Sequence, residues 1–460
     1  MTDELYPYQR RAVMDLVHLE GRGGLFLDMG TGKTRTALEI ARQLRCRRIL
    51  VVAPLSAVGV WKRESAVYWS KLKVGDGTVG TIKDRAALAL NGGSNLFIVG
   101  YETYWREPLR SAIIQWEPQI IIYDEGHRLK GRGTRQSRFA HRLTDIVDRR
   151  LTLTGTPMPN GPEDLFGVFR AIEPDLFGVR WLDFEARYLR KGGYLNYQIV
   201  GYRNIEEIKA KVKSHSVRVT KQQALDLPEQ VDVILPVSLE SKTRKVYDEL
   251  KKRAIAEIQG VVDGQPASGI ALSRTVLTNV LRLQTVGSGW VKLASGQIAD
   301  LSREKESILI DLLSDATQQV GRIVIFCRFR HDIDRLLAAL AGRERAFVLD
   351  GRTAPKDRDQ VLQTFREVEY GYLLAQVAVA SLGIDLSCSH TAIFYSLDYS
   401  LANYLQSRDR LHRHGQGHKV TYYHLLAEYT IDEEIYAVLQ KKENLAKSIL
   451  DPDRAKELFS

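Results

Sequence analysis

GGLFLDMGTGKTRTALEIARQL, residues 23–44, opens as an apolar run, breaks at a pair of spaced glycines, and continues as an alanine- and leucine-bearing helical pattern. Strand, glycine loop, helix is the order that builds a phosphate site. Gly30 and Gly32 let the backbone curl so that N–H groups face an anion. Thr31 lies between them, Lys33 is placed to reach the β- and γ-phosphates, and the Thr34 hydroxyl is placed to ligate Mg²⁺. The usual pattern begins with glycine; this chain has Leu27 there.

Working outward, IIIYDEGH at 120–127 is a second apolar run that ends in two acids. Asp124 is expected to hold Mg²⁺, and Glu125 to orient and deprotonate an attacking water, since phosphoryl transfer is mostly positioning and charge stabilisation. ATP and Mg²⁺ are therefore the expected ligands. Similar apolar runs (ILVVAP, NLFIVGY and RRLTLTGTP) alternate with helical segments up to about Thr156. The rhythm returns after Gly321 with GRIVIFCRF, RAFVLDG, LLAQVAVAS, TAIFYSL and KVTYYHLL. Continuous apolar runs of this length are how buried parallel strands read. Between the two halves the pattern is mostly helical, with SLESKTRKVYDELKKRAIAEIQ the clearest helix.

The fold class expected is α/β, as two parallel-sheet domains. The boundaries expected are 1–162 for a nucleotide-binding domain, 163–302 for a helical insertion, 303–429 for a second α/β domain and 430–460 for a closing helix. The chain of 460 residues is long enough for such a division. Its 44% hydrophobic and 27% charged residues are ordinary for a globular protein, which excludes a disordered or fibrous chain. The net charge of +10 favours a polyanionic partner such as nucleic acid. No apolar run approaches a membrane span, and the N-terminus lacks a signal-peptide core, so no membrane association and a cytoplasmic location are expected. Cys46, Cys327 and Cys388 are odd in number and scattered, which fits packing residues in a reducing compartment.

Near the end stands QSRDRLHRHGQ, 406–416. Read as a helix, Gln406, Arg410 and Arg413 fall at i, i+4 and i+7 on one face. A guanidinium presents a planar fork of donors that suits phosphate oxygens.

DEGH with LTLTGTPMPN at 151–160 resembles helicase superfamily two, and DEGHRLKG resembles its Swi/Snf-type branch of ATP-dependent DNA translocases. YPYQRRAV, VVAPLSAVGVWKRE, VRVTKQQALDLPEQ, QSRDRLHRHGQ and TIDEEIYAVLQKKENLAKSILD are similar to further motifs of that family. The resemblance implies two RecA-like domains that share one ATP site, protrusions on the insertion and a C-terminal brace helix. It implies that Gln9 contacts adenine, that Gln406 and Asp385 belong to the nucleotide site, and that Arg413 is an arginine finger with Arg410 beside it. It also implies that His127, Thr154 and Thr156 couple hydrolysis to motion. Nucleic-acid phosphates would meet Ser56, Lys62, Tyr101 and Lys130 in the first domain, and Arg328, Gly351, Arg352 and Ser381 in the second.

This chain departs from the family at two places. Asp385, in SLGIDLS, stands where asparagine is usual, and Tyr399, Ser400 and Leu401 replace tryptophan-asparagine-proline. The activity implied is ATP-driven translocation of a monomeric motor along double-stranded DNA without sequence preference, in replication, recombination or repair. Strand-separating helicase and ATP-dependent clamp are the alternatives. The bare motor resembles minimal bacterial or phage members, so a prokaryotic or phage-infected cell is expected.

Overall fold

The computed structural model describes residues 4–192, 198–263, 269–293, 295–316, 321–341, 345–380 and 384–450. They form two compact units, each an α/β sheet structure. Described residues 4–192, 198–226 and 442–450 make the first, and 227–441 the second.

In the first unit the strands are β1 (Arg22–Leu27), β2 (Ile49–Ala53), β3 (Val74–Asp76), β4 (Leu96–Gly100), β5 (Ile120–Asp124) and β6 (Arg149–Leu153), then the hairpin β7 (Leu189–Gly192) and β8 (Gln198–Tyr202), and finally β9 (Ser216–Val219). Seven of them pair in the order β3-β4-β2-β5-β6-β1-β9, parallel throughout. Helices cover both faces, which is why the strands carry no polar face. Leu50 and Val52 enter one core while Ile49, Val51 and Ala53 enter the other; Ile121 and Tyr123 alternate with Ile120 and Ile122 in the same way. Period-two side-chain alternation thus yields a continuous apolar run when both sides are buried.

The second unit holds β10 (Gln230–Val237), the small antiparallel pair β11 (Trp290–Lys292) and β12 (Ile298–Asp300), then β13 (Arg322–Cys327), β14 (Ala346–Leu349), β15 (Gly371–Gln376), β16 (Thr391–Phe394) and β17 (Val420–Ala427). Its six-stranded parallel sheet runs β10-β17-β16-β13-β15-β14. Val324 and Phe326 face one core, Ile323 and Ile325 the other.

The stretch 163–302, expected as one helical insertion, is divided near 226 and gives each sheet an edge strand. β9 adds to β1, and β10 adds to β17 along eight residue pairs. Both are hard to read: β9 has only four residues, and β10 alternates exposed and part-buried positions as an edge strand does. The clearest predicted helix is present as Ser241–Asp263. The last helix, Ile431–Leu450, buries Ile435 and Leu439 in the second unit, and Ile449 in the first. Residues 451–460 of the expected brace lie outside the described residues. Cys46, Cys327 and Cys388 are all free thiols.

Candidate nucleotide site and the residues around it

In an open parallel sheet, ligands gather at the carboxyl ends of the strands. At the end of β1 the chain turns through Gly30 (φ +81°) and Gly32 (φ +79°), a left-handed region costly for residues with a Cβ. Gly32 caps the helix Lys33–Gln43, whose first turn carries Thr34. Thr31 is buried and its hydroxyl donates to Asp28 O at 2.7 Å, which fixes the loop's curl. The Lys33 ammonium donates to Leu27 O (3.0 Å) and Asp28 O (3.2 Å).

Gln9 is buried against this loop. Its amide donates to Thr31 O (3.1 Å) and accepts from Tyr6 N (3.0 Å), and the Tyr8 hydroxyl donates to the same Thr31 carbonyl at 3.0 Å. A Cβ on Gly32 would fall 2.3 Å from Gln9 Nε2, so that glycine is needed for close approach as well as for φ.

β5 delivers the acids. Asp124 is buried; its Oδ2 accepts from the Trp61 indole N–H at 2.9 Å and its Oδ1 from Glu125 N at 3.0 Å. Burial, and next the charge of Glu125, push its pKa up to about 6, with the Trp61 hydrogen bond and Lys33 pulling the other way. The Lys33 charge does not offset that burial; a divalent cation would, and Asp124 and Thr34 are the side chains that would hold it. The residues therefore fit Mg²⁺. Glu125 sits at φ +49°, and Gly126 follows because a Cβ there would fall 1.7 Å from Thr152 Oγ1.

The coupling candidates come together around Glu125. His127 Nδ1 lies 3.3 Å from Glu125 Oε2 and 3.1 Å from Thr154 Oγ1, and Thr154 Oγ1 accepts from Thr156 N at 3.1 Å. One chain of contacts thus runs from Glu125 to the loop after β6.

Two further residues join this neighbourhood, each inside a stretch similar to a family motif but given no site role from the sequence. Trp61 lies inside the stretch VVAPLSAVGVWKRE, where an apolar helix position reads as packing. Arg218, on β9, puts Nη2 2.7 Å from Asp28 Oδ1, while its Nη1 donates to Phe26 O (2.9 Å) and Gly155 O (3.2 Å). Asp28 Oδ2 also accepts from Lys221 N at 2.9 Å. Arg218 therefore ties the phosphate loop to the loop carrying Thr154 and Thr156.

In the second unit, the helix carrying Gln406 and Arg410 runs Leu401–Leu411 and stops there. The expected single face through Arg413 is therefore corrected: Arg413 lies beyond the helix. His412 leaves helical geometry (φ −91°, ψ 85°) because its buried ring is 2.8 Å from Pro228 O and 2.7 Å from the Gln230 side chain. Gln416 then fastens the turn through Ser387 O, Ser389 O and Leu411 O. Arg410 is buried and Gln406 half-buried. The return path sets Arg413 Nη1 3.8 Å from Asp385 Oδ1. Arg408, in the same stretch, is committed to Asp232.

The nucleic-acid candidates fare unevenly. Tyr101 is a correction: it has no exposed surface, and its hydroxyl donates to Asp124 O at 2.8 Å, supporting the site from beneath. Arg328 is also corrected, being mostly buried with its guanidinium on Gln284 and Asp398. Lys62 pairs with Asp76, and Arg352 with Asp334 and Asp350. Ser56 is exposed and Lys130 partly so; Gly351 is exposed, with its N–H on Gln376 Oε1. Ser381 lies outside the described residues.

Among known families, the SNF2-related domain matches residues 8–286, and the helicase conserved C-terminal domain matches 304–415. An uncharacterized ATP-dependent helicase of Mycoplasma pneumoniae is 25% identical over 97% of this chain and 42% of its own length. The Caenorhabditis elegans homologue of SWI/SNF-related matrix-associated actin-dependent regulator of chromatin subfamily A-like protein 1 is 26% identical over 96% of this chain and 61% of its own. The mouse DNA annealing helicase and endonuclease ZRANB3 is 23% identical over 98% and 41%. The chain thus spans less than two thirds of each of these relatives. A solved structure, the Sulfolobus solfataricus SWI2/SNF2 ATPase core in complex with dsDNA, is similar at 22% identity and a TM-score of 0.45, covering 97% of this chain and 92% of that one. No helix among the described residues is long and apolar enough to cross a membrane.

Proposed function

This chain belongs to the SNF2-related family, whose match covers more than half its length, and from that membership we propose an ATPase that moves along double-stranded DNA without reading its sequence. The observation that carries the proposal is the contact chain from Glu125 through His127 to Thr154 and Thr156, next to the phosphate loop. Such a chain lets the acid that handles water respond to movement of a neighbouring loop.

In this reading, Lys33 exchanges the Leu27 and Asp28 carbonyls for phosphate oxygens, and Gln9 accepts or donates to adenine. Thr34 and Asp124 hold Mg²⁺, which when bound neutralises charge on the phosphates. Glu125 orients the attacking water and takes its proton. Arg413 acts as the arginine finger, Arg410 as its partner, and Gln406 and Asp385 complete the nucleotide's surroundings. An arginine finger is worth about 10³–10⁵ in rate in related phosphoryl transfers. DNA phosphates are met by surface polar groups such as Ser56 and Lys130, a contact set blind to sequence. The net charge of +10 supports a polyanionic track. Replication, recombination or repair is the setting proposed, with the motor working as a monomer in a prokaryotic or phage-infected cell.

The test compares ATP turnover with duplex DNA, single-stranded DNA and RNA. Duplex DNA should stimulate most, and Glu125→Gln should keep ATP binding while turnover falls by about 10²–10⁴. Triplex displacement without fork unwinding would distinguish translocation from strand separation. Turnover indifferent to every nucleic acid would sink the motor and leave a clamp.

A further inference from the structure

Away from the phosphate loop, the first unit contains a cavity of about 790 Å³ between the loop after β4 and the helix Arg135–Leu143. That size falls within the roughly 300–1,000 Å³ of small-ligand sites. Arg135, Arg138 and Arg142 fall at i, i+3 and i+7, so they share one helix face, and Arg106 stands opposite. Phe139 and Trp105 supply apolar lining, with the Arg106 and Arg135 guanidinium groups 5.1 and 5.2 Å from the Trp105 ring. The cavity's one carboxylate, Glu107, is already taken by Arg110. Among the described residues no carboxylate pairs with Arg106, Arg135, Arg138 or Arg142. Four guanidinium groups of this lining, two of them beside the Trp105 ring, are thus left without acids to neutralise them.

We propose that this cavity is a binding site for single-stranded nucleic acid, separate from the duplex track. Arginines would take the phosphates, and a base would stack on Trp105 or on a guanidinium plane. The choice of strand follows from shape and chemistry together. A duplex keeps its bases stacked inside, so the Trp105 ring in this open, arginine-lined groove can stack a base only from an unpaired strand. Aromatic platforms within a positive groove are how sequence-tolerant single-strand binding is built. The site would let the protein hold an unpaired strand at a fork or gap.

The full-length chain, without nucleotide, is titrated against a labelled oligothymidylate of about ten nucleotides, a length typical of single-strand sites. Trp105→Ala should weaken binding about tenfold, and Trp105→Phe should retain most of it. Arg135→Gln, Arg138→Gln and Arg142→Gln together should weaken binding and lower the slope of log affinity against log salt by about two. These arginines are exposed, so this variant tests the site even if Trp105→Ala folds poorly. Removing equal charge elsewhere, with Arg11→Gln, Arg45→Gln and Lys83→Gln, should cost far less, and a blunt hairpin duplex should bind all variants nearly alike. The proposal is overturned if Trp105→Ala binds the single strand like the parent, if duplex binding falls in parallel, or if the control triple does equal damage. Because no turnover is measured, a protein that failed as a motor could still pass.

Discussion

Arg413 Nη1 stands 3.8 Å from Asp385 Oδ1, with both side chains partly exposed. The arginine proposed to meet the γ-phosphate is therefore attended by a carboxylate of its own unit, at the position where the family resemblance leads one to expect asparagine. Burial works against ionisation of Asp385, yet the Ser387 N–H (3.0 Å) and the Arg413 charge hold its pKa below the usual aspartate range. With Arg413 in the proposed finger role, the ionised carboxylate would compete with phosphate for the guanidinium at neutral pH.

Asp385→Asn should release Arg413 and raise turnover. An exposed ion pair is worth about 0–1 kcal/mol, so the gain is at most about fivefold. Arg413→Ala should instead lower turnover by at least about a hundredfold with DNA affinity kept. Steady-state ATPase decides: if Asp385→Asn loses as much as Arg413→Ala, the carboxylate is positioning the arginine and not competing for it.

Asp124 predicts an exchange of stability for activity. Its folded pKa of about 6 lies above the ordinary 3.8. The stability contributed by this group is therefore complete below 3.8 and is lost as pH rises to about 6. Asp124→Asn should abolish turnover yet stabilise the metal-free protein at neutral pH by on the order of 1–2 kcal/mol. Melting curves from acid to neutral pH check this. An advantage for the variant that did not grow with pH would contradict it.

Arg218 holds three acceptors, on β1, on the loop after it and on the loop after β6. Arg218→Lys keeps the charge but cannot span Asp28 Oδ1, Phe26 O and Gly155 O at once. Small misplacement of catalytic groups costs up to about 10² in rate, so kcat should fall by about ten- to a hundredfold and the KM for ATP should rise. Kinetics measured well below the melting temperature separate this from a fold defect. Unchanged kinetics beside a lower melting temperature would assign Arg218 to the scaffold alone.

Lys305 and Asp432 form an ion pair in which both side chains are almost wholly buried. Asp432 Oδ2 also accepts from Ala427 N. Lys305→Met should destabilise the second unit by about 3–5 kcal/mol, because an uncompensated carboxylate is left inside. Lys305→Met combined with Asp432→Asn should recover part of the loss in chemical denaturation. No recovery would mean that packing around Lys305, not charge, set the cost.

The sequence by itself determined the two α/β halves and, in the first, the glycine loop and the pair of acids at the strand ends. Both are local messages: strands buried on two faces read as unbroken apolar runs, and Gly30, Gly32, Lys33, Asp124 and Glu125 sit at strand ends where backbone geometry dictates the residue type. Only the tertiary structure decided what those residues touch. Trp61 meets Asp124 across 63 positions, and Arg218 meets Phe26 across 192. Tyr101 faces inward, and the chain leaves its helix at His412 because that ring is held by Pro228 from another segment. Periodicity and propensity act over a few residues. Burial and hydrogen bonding between distant segments depend on how the sheets are assembled, and no short stretch of this chain carries that information.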